Sequence, residues 1–572
     1  MALGNLNEIQ NLLRSDPRLV VGGQTEIIIK YNGDIEKVAR QVGAVVEILG
    51  DGYAIMTIGV DQIPGLLSFK EVEYLELPKT LTFELYYNIS VACITRIHGQ
   101  RFGLRGNGTI IGIIDSGIDY THPDFINDDG TSRILFAWDQ FGTGEPPAGF
   151  RSGVEYTNAK INEALRSPNP FEVVPLVDTI GHGTAVSAIA AGNGRASEGT
   201  QIGVAPEANL IVVKLGQVGY EAFARTTEIM RAIKYISDKA EALGMPVSIN
   251  LSYGTNNGPH DGNTLFENYI DDVSQKWKTV ISVASGNEGA AGHHFAGTAV
   301  QGRTTSVDFT TPGDVYKIYV SMWKNFNDSF VYSIVAPSGD RSSQMRPTTR
   351  FLFDNLDGVR ITGFNVQPTI YTTFQELYFL FEGEDKPIPQ GLWRIEIYGE
   401  QVVDGRFDIW LPNTDDVSYG TAFVTPDTSL TLTLPSTAAY VISVGGYNGR
   451  TGTLAAFSGR GYTRGNVMIK PDLVAPAVDI ITAVPGGGYD RFSGTSMAAP
   501  FVTGAAALMM EWGVVRGHDR FLYGQRVKAF LQKGARRDHN ITYPNNQWGY
   551  GTLCLENSML LLYDYTGGGT SI

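Results

Sequence analysis

Four short segments carry residue types suited to breaking an acyl bond. "IIGIIDSGIDYTHPDF" puts Asp115 at the end of an apolar run, and "DTIGHGTAVSAIAAG" puts His182 between two glycines. "ASGNEG" holds Asn287 in a turn of small residues, and "RFSGTSMAAPFVTGAAALMM" runs a polar triplet ending in Ser496 into an apolar helix. Each has an ordinary structural reading. An acid can cap a turn, a histidine can open a helix, and Ser or Thr at a helix mouth is a common cap, with a proline such as Pro500 tolerated near a helix start. Together they meet the needs of nucleophilic catalysis. Serine is a weak nucleophile at neutral pH and needs a base within hydrogen-bond reach, the part His182 would take. Asp115 would fix the tautomer of that imidazole and stabilise the imidazolium. The Asn287 amide and the Ser496 backbone N–H would donate to the tetrahedral oxyanion. The helix after Ser496 would aim its positive end at the same charge.

Such residues must be brought together by a frame, and the pattern around them predicts one. "NGTIIGIIDSGID", "ANLIVVKLG", "PVSINLSYG" and "KTVISVASGNEG" are apolar strands, and "AFARTTEIMRAIKYISDKAEALG" is a long helix. Strands alternating with helices predict an α/β fold with a parallel, doubly wound sheet. Ligands in such sheets bind beyond the carboxyl ends of the strands, the edge from which Asp115, Ser252 and Asn287 would project. Residues 1–87 predict a separate α+β unit in the order β-α-β-β-α-β, the ferredoxin-like arrangement: "TEIIIKYN" as strand, "DIEKVARQVGAVVEI" with helical spacing, "GYAIMTIG" as strand, then a short helix and a strand in "IPGLLSFKEVEYLEL". Residues 301–435 break the alternation with short strands between turns, which predicts an inserted antiparallel sandwich or jelly roll. The catalytic domain is then 88–300 with 436–572.

Composition narrows the class. Over 572 residues, 43% are hydrophobic and 18% charged, as in a globular protein with a large core. The net charge of −15, without a clustered basic surface, argues against a nucleic-acid partner. Cys93 and Cys554 are the two cysteines, too few for a disulfide framework or a four-ligand zinc site, and compatible with either redox compartment. "MALGNLNEIQNLLRSDPRLVVGG" lacks the cationic start and apolar core of a secretory signal, and no run approaches the ~18 consecutive apolar residues of a membrane span. The expectation is a protein with no membrane partner. Trp323, Trp393 and Trp410 of the insert are expected in its core, which leaves little support for carbohydrate binding there.

At this point the motifs themselves resemble a known family. "IIDSGIDYTHPDF", "GHGTAVSAIAAG", "ASGNEG" and "GTSMAAPFVTGAAAL" are similar to the aspartate, histidine, oxyanion and serine motifs of the subtilases, the subtilisin-like serine proteases, and "IGVAPEANL" and "KPDLVAPA" resemble further family segments. Ala185 departs from the second histidine that many members carry after His-Gly-Thr. The resemblance implies a serine endopeptidase with Asp115, His182 and Ser496 as its triad, and a prodomain that acts as chaperone and bound inhibitor. It also implies self-cleavage in "FELYYNIS", at Leu85, Tyr86, Tyr87 or Asn88. A protein or peptide substrate would pair with Ser252, Tyr253 and Gly254, with Ala284, Ser285 and Gly286 as the other wall of the S1 pocket. Asp124 matches a calcium ligand of some members, but its partner loop "NGRASEGTQ" departs from theirs, which favours a surface or capping aspartate; calcium stays open, and no metal or other cofactor is assigned. The leaderless prodomain and the insert before the serine motif are similar to the clostridial Csp germination proteases, which cleave the precursor of a cortex-lytic enzyme. That implies a cytoplasmic or spore-associated bacterial protein. The alternative is a catalytically silent member that binds a partner through its cleft.

Overall fold

One nine-stranded sheet frames the candidate site, with Asp115 and Ala284 at the ends of its strands and His182 and Ser496 on helices that share its core. From one edge to the other its strands are Thr453–Leu454, Ile442–Asn448, Thr279–Ala284, Val247–Leu251, Ile110–Asp115, Asn209–Lys214, Ile134–Asp139 and Val154–Thr157, with Leu473–Pro476 also paired to Ile442–Asn448. The structure is a computed structural model and describes residues 20–21, 23–66, 68–76, 80–81, 90–216, 224–465 and 468–565. Pairing is parallel except where Thr453–Leu454 and Val154–Thr157 close the edges. Register puts the strand ends level: Lys214 faces Asp115, and Leu251 faces both Ile114 and Val283. Asp115, Ser252 and the Ala284–Asn287 turn therefore leave the sheet at one edge. These strands read as near-continuous apolar runs because both faces are covered, and Ile110, Ile111, Ile113 and Ile114 are fully buried.

The two helices that carry chemistry are short-chained and apolar all round, as buried helices are. His182–Ala191 and Thr495–Met510 are buried at every position and share one hydrophobic core. With the π-helical turn that follows it, the second is long and apolar enough to cross a membrane by composition, but it is mostly buried as the unit's core helix. This sheet belongs to a unit of residues 80–254, 266–287 and 435–572.

A second unit comprises residues 1–79, 255–265 and 288–434. Its N-terminal sheet is antiparallel in the order Val72–Glu76, Gln24–Tyr31, Tyr53–Gly59, Val45–Gly50, the ferredoxin-like order, with helices Ile35–Gln41 and Ile63–Leu66 between strands. The helical spacing predicted across residues 34–48 stops early. Gly43 at a φ of 65° is the left-handed residue that ends helices, and the β-branched Val45 and Val46 go to the sheet. The insert is a sandwich of antiparallel sheets. One runs His294–Thr298, Arg406–Trp410, Lys317–Asn325, Phe374–Gly383, Val359–Asn365, Phe351–Leu356; the other runs Ser329–Val335, Gly391–Gln401, Thr304–Thr311, Ala422–Phe423. Trp323, Trp393 and Trp410 are all buried, Trp410 stacked between the rings of His260 and His294 at 4.0 and 4.8 Å. Burial pushes His260 down to about 3, so it is a neutral packing ring there.

Candidate active site

Asp115 and His182 meet at the sheet edge. His182 Nδ1 lies 2.6 Å from Asp115 Oδ1. A carboxylate can only accept, so Nδ1 is the donor and Nε2 is left as the basic nitrogen. The Ser116 N–H also donates to Oδ1 at 2.8 Å, while Oδ2 has no hydrogen-bond partner among the described residues. Burial raises the Asp115 carboxyl above its ordinary value, against the opposing pull of the His182 ring. The helix start is held by a residue that sequence reasoning passed over. Buried Asp178 accepts the Gly181 N–H and the Ser116 hydroxyl on one oxygen, and the Thr184 N–H and hydroxyl on the other. The Ser116 hydroxyl in turn accepts the Gly183 N–H at 3.0 Å. The orphan donors of the first turn on either side of His182 are thereby satisfied. Gly183 is required by close approach, since an added Cβ would sit 2.1 Å from the Gly117 carbonyl oxygen.

Ser496 stands in the first turn of its helix, and two other candidates hold that turn. Asn287 Oδ1 accepts the Thr495 N–H at 3.0 Å, which caps the helix and fixes the amide's orientation, so Nδ2 is the end free to donate elsewhere. The Gly286 N–H donates to the Thr495 hydroxyl. Pro500 lacks the N–H that would reach back four residues to the Ser496 carbonyl. The Ser252 hydroxyl supplies that bond instead, at 3.0 Å, and is itself held by the Asn250 amide, whose oxygen accepts from Thr503. The Ser252 side chain is thus committed to the serine helix, and only its backbone is available to a substrate strand.

The other predicted positions fall as follows. Tyr253 is buried, and its phenol is pushed well above the ordinary value by burial and by Asp115, Glu228 and Asp178. Ala284 ends its strand, the Ser285 N–H is taken by the Val444 carbonyl, Gly286 lies in the loop beyond that strand end, and Gly254 occupies a β-bridge position. Leu85, Tyr86, Tyr87 and Asn88 lie outside the described residues. Just before them, Thr80–Leu81 pairs antiparallel with Ala224–Arg225, so the segment leading to the predicted cut adds a strand to this unit. Asp124 does not fit a calcium ion. Its oxygens accept the Ala196 N–H at 2.9 Å and the Tyr489 hydroxyl at 2.7 Å, so donors rather than carbonyls surround it, and among the described residues no group of three or more metal-ligating side chains occurs. The fold also joins Cys93 and Cys554 in a disulfide, with Cα atoms 4.8 Å apart, where the sequence left both compartments open.

The subtilase family model matches residues 106–359 and 416–551, and the Csp protease B prodomain model matches residues 9–79. The solved structure of the CspB protease of Clostridium perfringens is 36% identical with a TM-score of 0.77, covering 83% of this chain and 97% of that one. A PIII-type proteinase of Lactococcus lactis subsp. cremoris is 24% identical over 557 residues, 88% of this chain and 27% of that protein. The subtilisin-like protease SBT3.16 of Arabidopsis thaliana is 27% identical over 454 residues, 71% of this chain and 54% of that protein. The chain thus spans well under two thirds of the length of these curated relatives. Matched to the family model over more than half its length, and to a solved relative over 83% of it, this chain belongs to the subtilase family of subtilisin-like serine proteases.

Proposed function

We propose that the chain is a serine endopeptidase made as a self-processing zymogen. The 2.6 Å His182–Asp115 contact, beside a serine helix capped by Asn287, is the observation that carries this reading. His182 Nε2 takes the proton of Ser496 as its oxygen attacks the scissile carbonyl, and Asp115 stabilises the imidazolium formed. Asn287 Nδ2 and the Ser496 N–H donate to the oxyanion. The same imidazolium then returns the proton to the leaving amine, and water hydrolyses the acyl-enzyme by the reverse route. Residues 1–87 serve as prodomain, 88–300 with 436–572 as catalytic domain and 301–435 as insert. The prodomain match, and the strand that Thr80–Leu81 adds to the catalytic unit, support a cut at Leu85–Asn88 with the tail left as a bound inhibitor. Likeness to the CspB protease supports limited proteolysis of a protein precursor, specifically that of a spore cortex-lytic enzyme, in a spore-associated setting.

A catalytically silent, partner-binding member is the second reading, and the burial of Asp115, His182 and Ser496 in the uncut chain, at 0%, 1% and 1% exposed, fits it and the zymogen alike. Labelling with a serine-directed fluorophosphonate separates the readings. Labelling that is lost in Ser496→Ala supports the protease, and its absence in the wild type supports a covered, partner-binding member. Cleavage of a purified cortex-lytic precursor by protein that labels tests the substrate, and an uncut precursor would exclude it.

A further inference from the structure

The chain's two cysteines take no part in the proposed chemistry, yet the fold brings them together across 461 residues of sequence. Cys93 lies just beyond the Leu85–Asn88 processing window, and Cys554 directly precedes the helix Leu555–Tyr565. More than sulfur ties these segments. The Leu555 N–H donates to the Ala92 carbonyl at 3.0 Å, Arg536 Nη2 donates to the Val91 carbonyl at 2.9 Å, and Arg96 pairs with Glu556 at 3.1 Å. Cys93 takes a φ of 57°, in the left-handed region that side chains rarely adopt. Glycine or asparagine would serve better at a simple turn, so the sulfur is what this position selects.

We propose that the Cys93–Cys554 disulfide is a clasp that retains the new N-terminal segment after the chain has cut itself, and that the processed enzyme persists only where this bond stays oxidised. The clasp rests on the self-processing reading. A cut within Leu85–Asn88 leaves a new N-terminus no more than 8 residues before Cys93. Ala92, Ile94 and Ile97, which are buried core residues, then stay in place even though covalent support on their N-terminal side is gone. The bond forms by exchange with a low-molecular-weight disulfide. The half-buried Cys93 thiolate attacks one of its sulfurs and releases one small thiolate; the Cys554 thiolate then attacks Cys93 sulfur in the mixed disulfide and releases the second. Two protein thiols become one disulfide, and the small disulfide becomes two small thiols. Such bonds persist outside reducing cytoplasm, which suits an enzyme that works at the spore rather than in the growing cell.

Full-length wild type is exposed to oxidised glutathione, treated with iodoacetamide without reductant, and weighed intact. The clasp predicts a mass lower by two hydrogens than the reduced protein and no alkylation. Heat inactivation of that sample should quicken at least about fivefold after reduction, with initial kcat/KM unchanged within about twofold. Cys93→Ser with Cys554→Ser should show the fast decay whether or not reductant is added. Two alkylated thiols in the oxidised sample, or equal half-lives with and without reductant, would overturn the proposal. The same spectrum reads self-processing separately: an uncut chain with the bond closed contradicts the cut alone, and a cut chain with both thiols alkylated contradicts the clasp alone.

Discussion

At Ser496 the proposed nucleophile depends on a neighbouring hydroxyl that is turned into the serine helix. Pro500 takes away one backbone donor and Ser252 gives one back. Ser252→Ala leaves the Ser496 carbonyl buried without that donor and is expected to cost about 1–3 kcal/mol, seen as a lower thermal midpoint, whereas Ser252→Thr keeps the bond and most of the stability. In the triad, Ser496→Ala should lower kcat/KM by about 10⁶ and Asp115→Asn by about 10⁴, the sizes known for subtilisin and related proteases, measured on a peptide substrate with folded protein. Asp115, His182, Asn287 and Ser496 could be singled out in the sequence because an acid, a base, an amide and a hydroxyl occur together in four motifs, each ordinary by itself. Asp178 and Ser116 were not, although both lie within the quoted motifs. Their role is set by which backbone N–H groups face them, and that appears only once strand and helix are docked. Ser252 was placed correctly at the sheet edge, but its hydroxyl turns inward to a partner 244 residues away.

Between elements, fit decides more than propensity. Gly183→Ala puts a carbon against the Gly117 carbonyl, so the helix must shift from Asp115; loss of both fluorophosphonate labelling and self-processing is expected. Farther along the sheet, Asp472 is buried between Lys470 and Lys528 at 2.8 and 2.9 Å and joins strand Ile442–Asn448 to helix Gly524–Gly534 through the Ser443 N–H and Gln532. Burial would raise its carboxyl, but the two ammonium groups prevail and hold it below its ordinary value of 3.8. The folded chain therefore binds this proton less tightly than the unfolded one. The stability contributed is present above about pH 4 and is lost as pH falls through the lowered value. Asp472→Asn should flatten the acid limb of a stability–pH curve and cost about 3–5 kcal/mol at neutral pH, because two buried ammonium groups lose their counter-charge. Period and composition had predicted the doubly wound sheet and the sandwich. They failed at residues 45–48, where the three apolar, β-branched positions Val45, Val46 and Ile48 satisfied a helical spacing while Gly43 had already ended the helix.

Over the whole molecule, a prodomain is joined to the catalytic unit, and the Asp124 carboxylate accepts from the Ala196 N–H and the Tyr489 hydroxyl. Chelation should leave the thermal midpoint unchanged, and a drop that added calcium restores would place a cation in the fold after all. The Cys93–Cys554 closure was invisible in the sequence because two cysteines so far apart carry no local pattern; only the docked segments bring them to bonding distance. The central claim is that Asp115, His182 and Ser496 form a working triad that cuts the chain's own prodomain. Intact mass spectrometry of wild type beside Ser496→Ala tests it most directly. Two fragments are expected in the wild type, divided within Leu85–Asn88, and one uncut chain in the variant. A full-length mass in both would contradict it.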